Sequence, residues 1–138
     1  MYLGVMLSEH LDLSLTAKVV AQSAGRALRL LIARCKNAGG LPFDVYTKLY
    51  NTCVVQVITY GASIWGTKSF SCIHSIHHRA MRFFLDYGKY TPNAAVFGEM
   101  SWNPISVEQW KSVCNHWHRC LNFKDFPMNK KLFEWSCR

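Results

Sequence analysis

Residues 41–66, LPFDVYTKLYNTCVVQVITYGASIWG, decide the fold class, because their apolar side chains recur every three or four positions. That period is the period of an α-helix. The apolar positions are Phe43, Tyr46, Leu49, Tyr50, Cys53, Val54, Val57, Tyr60 and Ile64. The VVQVI cluster is also typical of a strand, but the helical period continues for too long to favour one. With Pro42 suited to a first turn, the stretch predicts an amphipathic helix that buries one face.

The preceding stretch, TAKVVAQSAGRALRLLIARCK (16–36), has the same helical period. Asp12 and Ser14 are candidate N-caps. The sequence NAGG (37–40) is expected to end the helix, since Asn and Gly tolerate the left-handed backbone of a C-terminal cap. The stripe predicted to face inward is Val20, Ala24, Ala27, Leu28, Leu31 and Cys35.

Three further helices are predicted after residue 66. The first is FSCIHSIHHRAMRFFL (70–85), with Ser69 as its cap. Its side chains predicted to face the core are Ile73, Ile76, Ala80, Phe83 and Phe84. After the loop DYGKYTPN (86–93), a short helix runs to Met100, capped by Thr91 or Asn93. Pro104 begins the third, whose stripe is Ile105, Trp110, Val113, Cys114, Trp117 and Leu121.

The two ends of the chain are expected to differ from this helical centre. MYLGVML (1–7) is predicted as a short apolar strand, for which the sequence offers no partner strand. NKKLFEWSCR is predicted as a last short helix, after the break at Phe126–Pro127. We therefore predict a mainly α-helical bundle of five to six helices: a strand at 1–7, a helical domain at 8–125 and a tail at 126–138.

Composition bounds the function. Half of the residues are hydrophobic and 14% are aromatic, which favours a packed core over disorder. The net charge of +8 favours an anionic partner, with nucleic acid ahead of a membrane surface. We expect no transmembrane helix and no signal peptide. The irregular spacing of Cys35, Cys53, Cys72, Cys114, Cys120 and Cys137 predicts reduced core residues in an intracellular protein, nuclear or cytoplasmic.

No catalytic motif is found. The eight Asp and Glu residues are scattered singly, whereas two-metal enzymes need clustered carboxylates. A Gly-rich phosphate loop is absent. A zinc site built from His74 with His78, Cys114 with His118, or His116 with Cys120 is an alternative to the preferred interpretation of core cysteines and solvated histidines. We predict no metal and no cofactor.

The basic residues of the first predicted helix are the best candidate site. Lys18, Arg26, Arg29 and Lys36 share the face opposite the apolar stripe, along about 27 Å of helix. Such a face can follow a phosphate backbone without reading sequence; an ordinary solvated face is the alternative. The predicted extension of this track is His77, His78, Arg79 and Arg82, with Lys89 and Tyr90 in the following loop.

The five tryptophans could stack on nucleic-acid bases or pack in the core. Trp110 and Trp117 lie one heptad apart on an apolar stripe, which favours the core. Trp102, in a loop before Pro104, is predicted to be the most exposed.

The order of several motifs resembles one family. The motifs are, in order, YLGV (2–5), the Ala- and Arg-rich helix, residues 41–66, HHRAMRFFL (77–85), TPNAAVFGEM (91–100) and WNPI (102–105). Over residues 1–121 they resemble the region after the palm in reverse transcriptases of non-LTR (LINE-type) retrotransposons. In that family a YLG strand closes the palm sheet, and a helical thumb follows with a Y-G-x-x-x-W signature. The matching residues are Tyr2, Leu3, Gly4, Tyr60, Gly61 and Trp65.

This resemblance implies a piece of an RNA-directed DNA polymerase without its catalytic aspartates, which the family carries upstream of YLG. It implies no polymerase activity for this chain alone, but binding of an RNA or DNA template–primer duplex, with the palm as a second partner. The family often has Gly where Asp86 and Ser101 stand. The alternatives are a protein–protein interaction module and an open reading frame without a selected function.

Overall fold

The computed structural model describes residues 5, 12–122, 131 and 135, and this part of the chain is mainly helical, as predicted. The helices are α1 (Ser14–Asn37), α2 (Phe43–Tyr50), a π-helical segment (Asn51–Val55), α3 (Gln56–Thr59), α4 (Ala62–Trp65), α5 (Ser71–Leu85), α6 (Asn93–Met100) and α7 (Ile105–Leu121). The strand predicted at 1–7 and the tail helix lie outside the described residues, except for Val5, Lys131 and Trp135. Within the described part, no helix is long and apolar enough to cross a membrane.

The N-cap position of α1 is Leu13 and not Asp12 or Ser14 as predicted, and no side chain caps the helix from that position. The Asp12 carboxylate accepts hydrogen bonds from the backbone N–H of Ser14 (2.9 Å) and from its hydroxyl (2.7 Å). At the other end, Gly39 and Gly40 have φ of +72° and +101°, and the Gly40 N–H donates to the Cys35 carbonyl oxygen at 2.9 Å. The end predicted at NAGG is therefore confirmed.

Helix α1 packs against α5, the π-helical segment and α3 through small residues. Ala17, Ala21 and Ala24 are buried at its centre, and short side chains allow close approach of the neighbouring helices. The predicted inward stripe is confirmed at Leu28 and Leu31. Val20 and Ala27 pack at the edge of the core and are partly buried.

The uninterrupted α-helix predicted through Ile64 is wrong, because a π-helical segment changes its register. Tyr46, Tyr50, Val54 and Ile58 are all buried at four-residue steps. In an α-helix each such step rotates the side chain by about 40° beyond a full turn. The wider π turn, with i→i+5 hydrogen bonds, removes much of this rotation and keeps the four residues on one side. Four other positions predicted to face inward are exposed: Phe43, Cys53, Tyr60 and Ile64.

Trp102, predicted to be exposed, packs into an aromatic layer between α2 and α5. Its ring stacks on Tyr50 at a centroid distance of 4.5 Å and lies parallel to Tyr46 at 6.1 Å. Its indole N–H donates to the Thr47 hydroxyl at 3.3 Å, and the Tyr46 hydroxyl donates to the Ala80 carbonyl oxygen at 2.9 Å. This layer joins the loop before α7 to the helical core.

The predicted inward stripe of α7 is wrong for most of its residues. Ile105, Gln109 and Val113 are buried, while Trp110 and Trp117 are each 51% exposed and Leu121 is 60% exposed. The buried set is rotated by roughly 100° from the tryptophan stripe on a helical wheel. Since α7 contacts mainly α4, the side that faces α4 and the core is the one that becomes buried.

Three other local predictions are corrected. Among the five described cysteines Cys35 is buried and Cys72 packs at the edge of the core, whereas Cys53 and Cys114 are exposed, so the predicted core role does not hold for these two. The Ser69 hydroxyl lies 2.9 Å from Nε2 of His74 and does not cap α5. Helix α6 begins at Asn93 after Pro92, without a side-chain cap from Thr91 or Asn93. Its end at Met100 agrees with the prediction.

Candidate nucleic-acid interface

The outer face of α1 carries exposed cations. Lys18, Arg26, Arg29 and Lys36 are all exposed, and α1 contains no Asp or Glu. Arg26 donates to the Ser23 hydroxyl and Arg29 to the Gly25 carbonyl oxygen. None of the four makes an ion pair with another described residue. The charges are therefore available to an anionic ligand. Arg34 is also exposed on α1, but it lies about 200° around the helix from Lys36 and so outside this face.

Helices α1 and α5 run in the same direction. The pKa of Asp12, before α1, is lowered first by its hydrogen bonds from Ser14 and also by the charge of Lys68, which precedes α5. At the other end, Lys36 lines a pocket with Phe83 and Phe84. Lys68 thus lies near the start of the basic face, and no sequence pattern links it to α1. Arg79 is exposed on α5.

The prediction that His77 belongs to a basic surface is wrong, because its ring is buried and only 3% exposed. Nδ1 lies 2.8 Å from the Tyr50 hydroxyl, and Nε2 lies 3.1 Å from the Asn103 carbonyl oxygen. The carbonyl can only accept, so Nε2–H donates to it and the Tyr50 O–H donates to Nδ1. Burial lowers the pKa of His77 to about 4, against the opposing effect of the Asn103 hydrogen bond. The ring is neutral at neutral pH.

Arg82 is also removed from the predicted basic track. Its side chain is partly buried, and Nη2 donates to the Thr91 carbonyl oxygen at 3.1 Å and to Oδ1 of Asn93. These bonds hold the loop of residues 86–92 and the start of α6 against α5. The neighbouring His78 is partly buried, and this burial lowers its pKa.

The Y-G-x-x-x-W signature forms a turn at the end of α3. Gly61 has φ of +66°, and a Cβ at this position would lie 3.1 Å from Cγ2 of Val5. Trp65 is fully buried, and its indole N–H donates to the Tyr60 carbonyl oxygen at 3.1 Å. Such a bond satisfies a carbonyl left without a partner where a helix ends. The other signature residues, Tyr2, Leu3 and Gly4, lie outside the described residues.

The histidine and cysteine pairs on α7 point in different directions. Cys114 with His118 and His116 with Cys120 are offset by two residues, which corresponds to about 200° around a helix. The two pairs therefore cannot share one tetrahedral zinc. The Cys120 sulfur lies 3.6 Å from Nε2 of His116. In the described part of the chain, no three His, Cys, Asp or Glu residues are grouped as metal ligands.

Comparison with known proteins gives no relative for this chain, since no family model, curated protein or solved structure matches it.

Proposed function

We propose that this chain is the thumb region of a reverse transcriptase of the non-LTR retrotransposon type, and that α1 binds the backbone of a template–primer duplex without reading its sequence. The observation that carries this proposal is the face of α1, where Lys18, Arg26, Arg29 and Lys36 are exposed on a helix without acidic residues. An RNA–DNA hybrid is the ligand, and the palm of the polymerase is the second partner.

The charges fit a backbone ligand better than a ligand read through its bases. Lysine and arginine side chains contact phosphates and release condensed counterions, so binding weakens as salt rises. Four phosphate contacts correspond to a log–log salt slope of roughly three to four. The exposed polar residues of α1 are five cations and two amides, Gln22 and Asn37, so positive charge dominates its outward side. The face therefore suits positioning of a duplex more than selection of a sequence.

Two backbone conformations support the family assignment. Asp86 and Ser101 are the two non-glycine residues with positive φ in the described part, at +53° and +51°. Glycine adopts this conformation most readily. These are also the two positions where the family often carries Gly. At both positions where this sequence differs from the family's glycine, the backbone thus has the positive φ that glycine favours.

The proposal gives these residues a binding role and no catalytic one. No two Asp or Glu residues are adjacent in the sequence, and Glu9 and Asp12 are the nearest pair, so it lacks a carboxylate cluster for two metal ions. Polymerisation would belong to the palm. An intracellular, reducing location is part of the same proposal.

Fluorescence anisotropy with a labelled RNA–DNA hybrid tests the role of α1. We expect the wild-type chain to bind, and the variant with Lys18, Arg26, Arg29 and Lys36 changed to Ala to lose affinity and about three to four units of salt slope. Circular dichroism should show the same helix content, because all four side chains are exposed.

A charge-matched comparison separates a site from a general effect of net charge. Arg29→Ala with Lys36→Ala and Lys48→Ala with Lys131→Ala each remove two exposed positive charges. We expect only the first pair to reduce hybrid binding markedly. Equal losses for both pairs, or an unchanged salt slope in the four-residue variant, would contradict the proposal.

A further inference from the structure

A polar groove runs between α7 and the pair α3–α4. Six of the residues that line it belong to α7: Glu108, Lys111, Ser112, Asn115, His116 and Arg119. Four of the six follow one another from Glu108 to Arg119 at steps of four, three and four residues. These steps keep their side chains within about 60° of one another around the helix, so they share one side of α7. Thr59 of α3 and Ser63 of α4 line the opposite wall. The groove is thus built from polar side chains of three helices.

Positive charge in the groove is neutralised at one end only. Nζ of Lys111 lies 2.7 Å from Oε1 of Glu108, so these two charges cancel in the first half of α7. Arg119 stands about 16 Å further along the helix axis than Glu108, is exposed and makes no ion pair with a described residue. Long side chains on a helix extend toward its N-terminus, so we expect the Arg119 guanidinium to cover the turn of Asn115. The second half of the groove therefore carries a surplus positive charge.

Three neutral donors in the groove are not used by the fold. The Ser63 hydroxyl, the Ser112 hydroxyl and the Asn115 amide make no hydrogen bond with another described residue. By contrast, the Thr59 hydroxyl already donates to the Val55 carbonyl oxygen at 2.9 Å. A ligand with several acceptor oxygens would satisfy these donors and the guanidinium together.

We propose that this groove binds a phosphate monoester, which is the 5′-terminal phosphate of a nucleic-acid strand or the phosphate of a free nucleotide. Such a group carries nearly two negative charges and three strong acceptor oxygens. The Arg119 guanidinium pairs with two of these oxygens, in the bidentate geometry that arginine favours, and the three neutral donors complete the set. A backbone diester or a carboxylate offers only two such oxygens. The full charge of Arg119 exceeds the half charge of opposite sign at the C-terminal end of a helix.

The groove lies apart from the basic face of α1. Helix α3 contacts both α1 and α7. Its Val57 lines an apolar groove with Val20 of α1, whereas its Thr59 lines the polar groove with α7. Two positions along a helix correspond to about 200° of rotation, so α3 separates the two sites. The case of a strand's 5′-phosphate rests on the proposed function, and the case of a free nucleotide does not.

An NMR titration of the isotope-labelled chain with thymidine monophosphate, at constant ionic strength, tests the site. We expect saturating shifts of the backbone amides of Ser63, Ser112 and Asn115, and none with thymidine, which lacks the phosphate. Arg119→Gln should raise the Kd for the nucleotide about tenfold or more, because a charged hydrogen-bonding group is lost. Arg34→Gln is the matched control, since it removes an exposed arginine of α1 outside both sites, and it should leave the Kd unchanged.

Anisotropy with two RNA–DNA hybrids that differ only in one 5′-phosphate identifies the source of the monoester. If the source is a strand end, the phosphorylated hybrid should bind about tenfold more tightly, and Arg119→Gln should abolish this difference. The four-residue α1 variant should weaken binding of both hybrids and keep the ratio between them. Equal binding of the two hybrids, with nucleotide binding in the groove retained, would assign the site to free nucleotides.

Several results would overturn the inference. They are an absence of saturating shifts in the groove, shifts that Arg119→Gln leaves unchanged, and equal shifts with sodium acetate. Binding of O-phosphoserine as tight as that of the nucleotide, with no effect of the 5′-phosphate on the hybrid, would assign the groove to a phosphopeptide instead. Hybrid binding that survives in the α1 variant, with an intact groove site, would contradict only the proposal for α1.

Discussion

At the scale of single residues, Ser101 and Asp86 carry the most specific information about this fold. Each follows the last residue of a helix, α6 and α5 respectively, and each adopts the left-handed backbone that ends a helix. In this region a side chain other than Gly costs about 1 kcal/mol, and Asp is tolerated better than most. The sequence therefore places two non-glycine residues where glycine would be less strained.

Ser101→Gly should increase the free energy of unfolding by about 1 kcal/mol, because it relieves the strain at φ of +51°. Asp86→Gly should have a smaller effect, since Asp adopts this conformation more easily. Urea denaturation measures both. The control is Ser75→Gly, the same change at an exposed position within α5, which should instead destabilise the protein by about 0.5 kcal/mol. Destabilisation by Ser101→Gly would show that the backbone at residue 101 is not left-handed.

At the scale of elements, the turn after α3 shows why the helix ends where it does. The sequence period continues to Ile64, yet Tyr60 is extended and Gly61 is left-handed. The chain turns there, and the Trp65 indole returns to the Tyr60 carbonyl. Gly61 serves two needs at once, because its φ is positive and Val5 packs over its Cα.

Gly61→Ala should lower the free energy of unfolding by about 2 kcal/mol, from left-handed strain and from crowding at Val5. Thermal denaturation followed by circular dichroism is the measurement. Gly98→Ala is the matched control, since it lies within α6 and an added Cβ there meets nothing within 4 Å. This control should gain roughly 0.5–1 kcal/mol. A Gly61→Ala variant as stable as the wild type would mean that Val5 does not pack on this turn.

At the scale of the whole molecule, the hydrogen bonds of His77 connect three parts of the fold. Tyr50 on α2, His77 on α5 and the Asn103 carbonyl before α7 form one chain of hydrogen bonds. The same ring contacts Phe97 of α6 and Trp102. Since burial disfavours the charged form of His77, protonation of its ring opposes the packing of all these elements together.

Stability should therefore fall on acidification. The folded pKa of His77, about 4, lies below the ordinary value of 6.5, so the unfolded chain binds this proton first as pH falls. The loss begins near pH 6.5, grows to about 3 kcal/mol near pH 4 and does not increase further below it. Urea denaturation at several pH values measures it. In His77→Gln the pH dependence over this interval should be reduced; an unchanged dependence would assign the loss to other groups, His78 first.

The sequence predicted the candidate site correctly on α1 but only in part on α5. The face of α1 depends only on a regular helix and on which side its alanines and leucines occupy, so Lys18, Arg26, Arg29 and Lys36 were placed correctly as exposed residues. The predicted extension of the basic track along α5 was wrong at Arg82 and His77. Arg82 bonds to Thr91 and Asn93, and His77 is buried, and both features depend on residues outside α5. The charge of Lys68 acts on Asp12 only because α5 packs beside α1.

By itself, the sequence determined the helical class, the C-terminal end of α1 and the side of α1 that carries charge. These features depend on contacts between residues a few positions apart, which periodicity and capping residues reveal. Tertiary structure alone decided that Trp102 is packed while Trp110 and Trp117 are half-exposed, that a π turn resets the register at residues 51–55, and that His77 is neutral. An apolar stripe does not specify which neighbour covers it, because burial depends on elements that are distant in the chain.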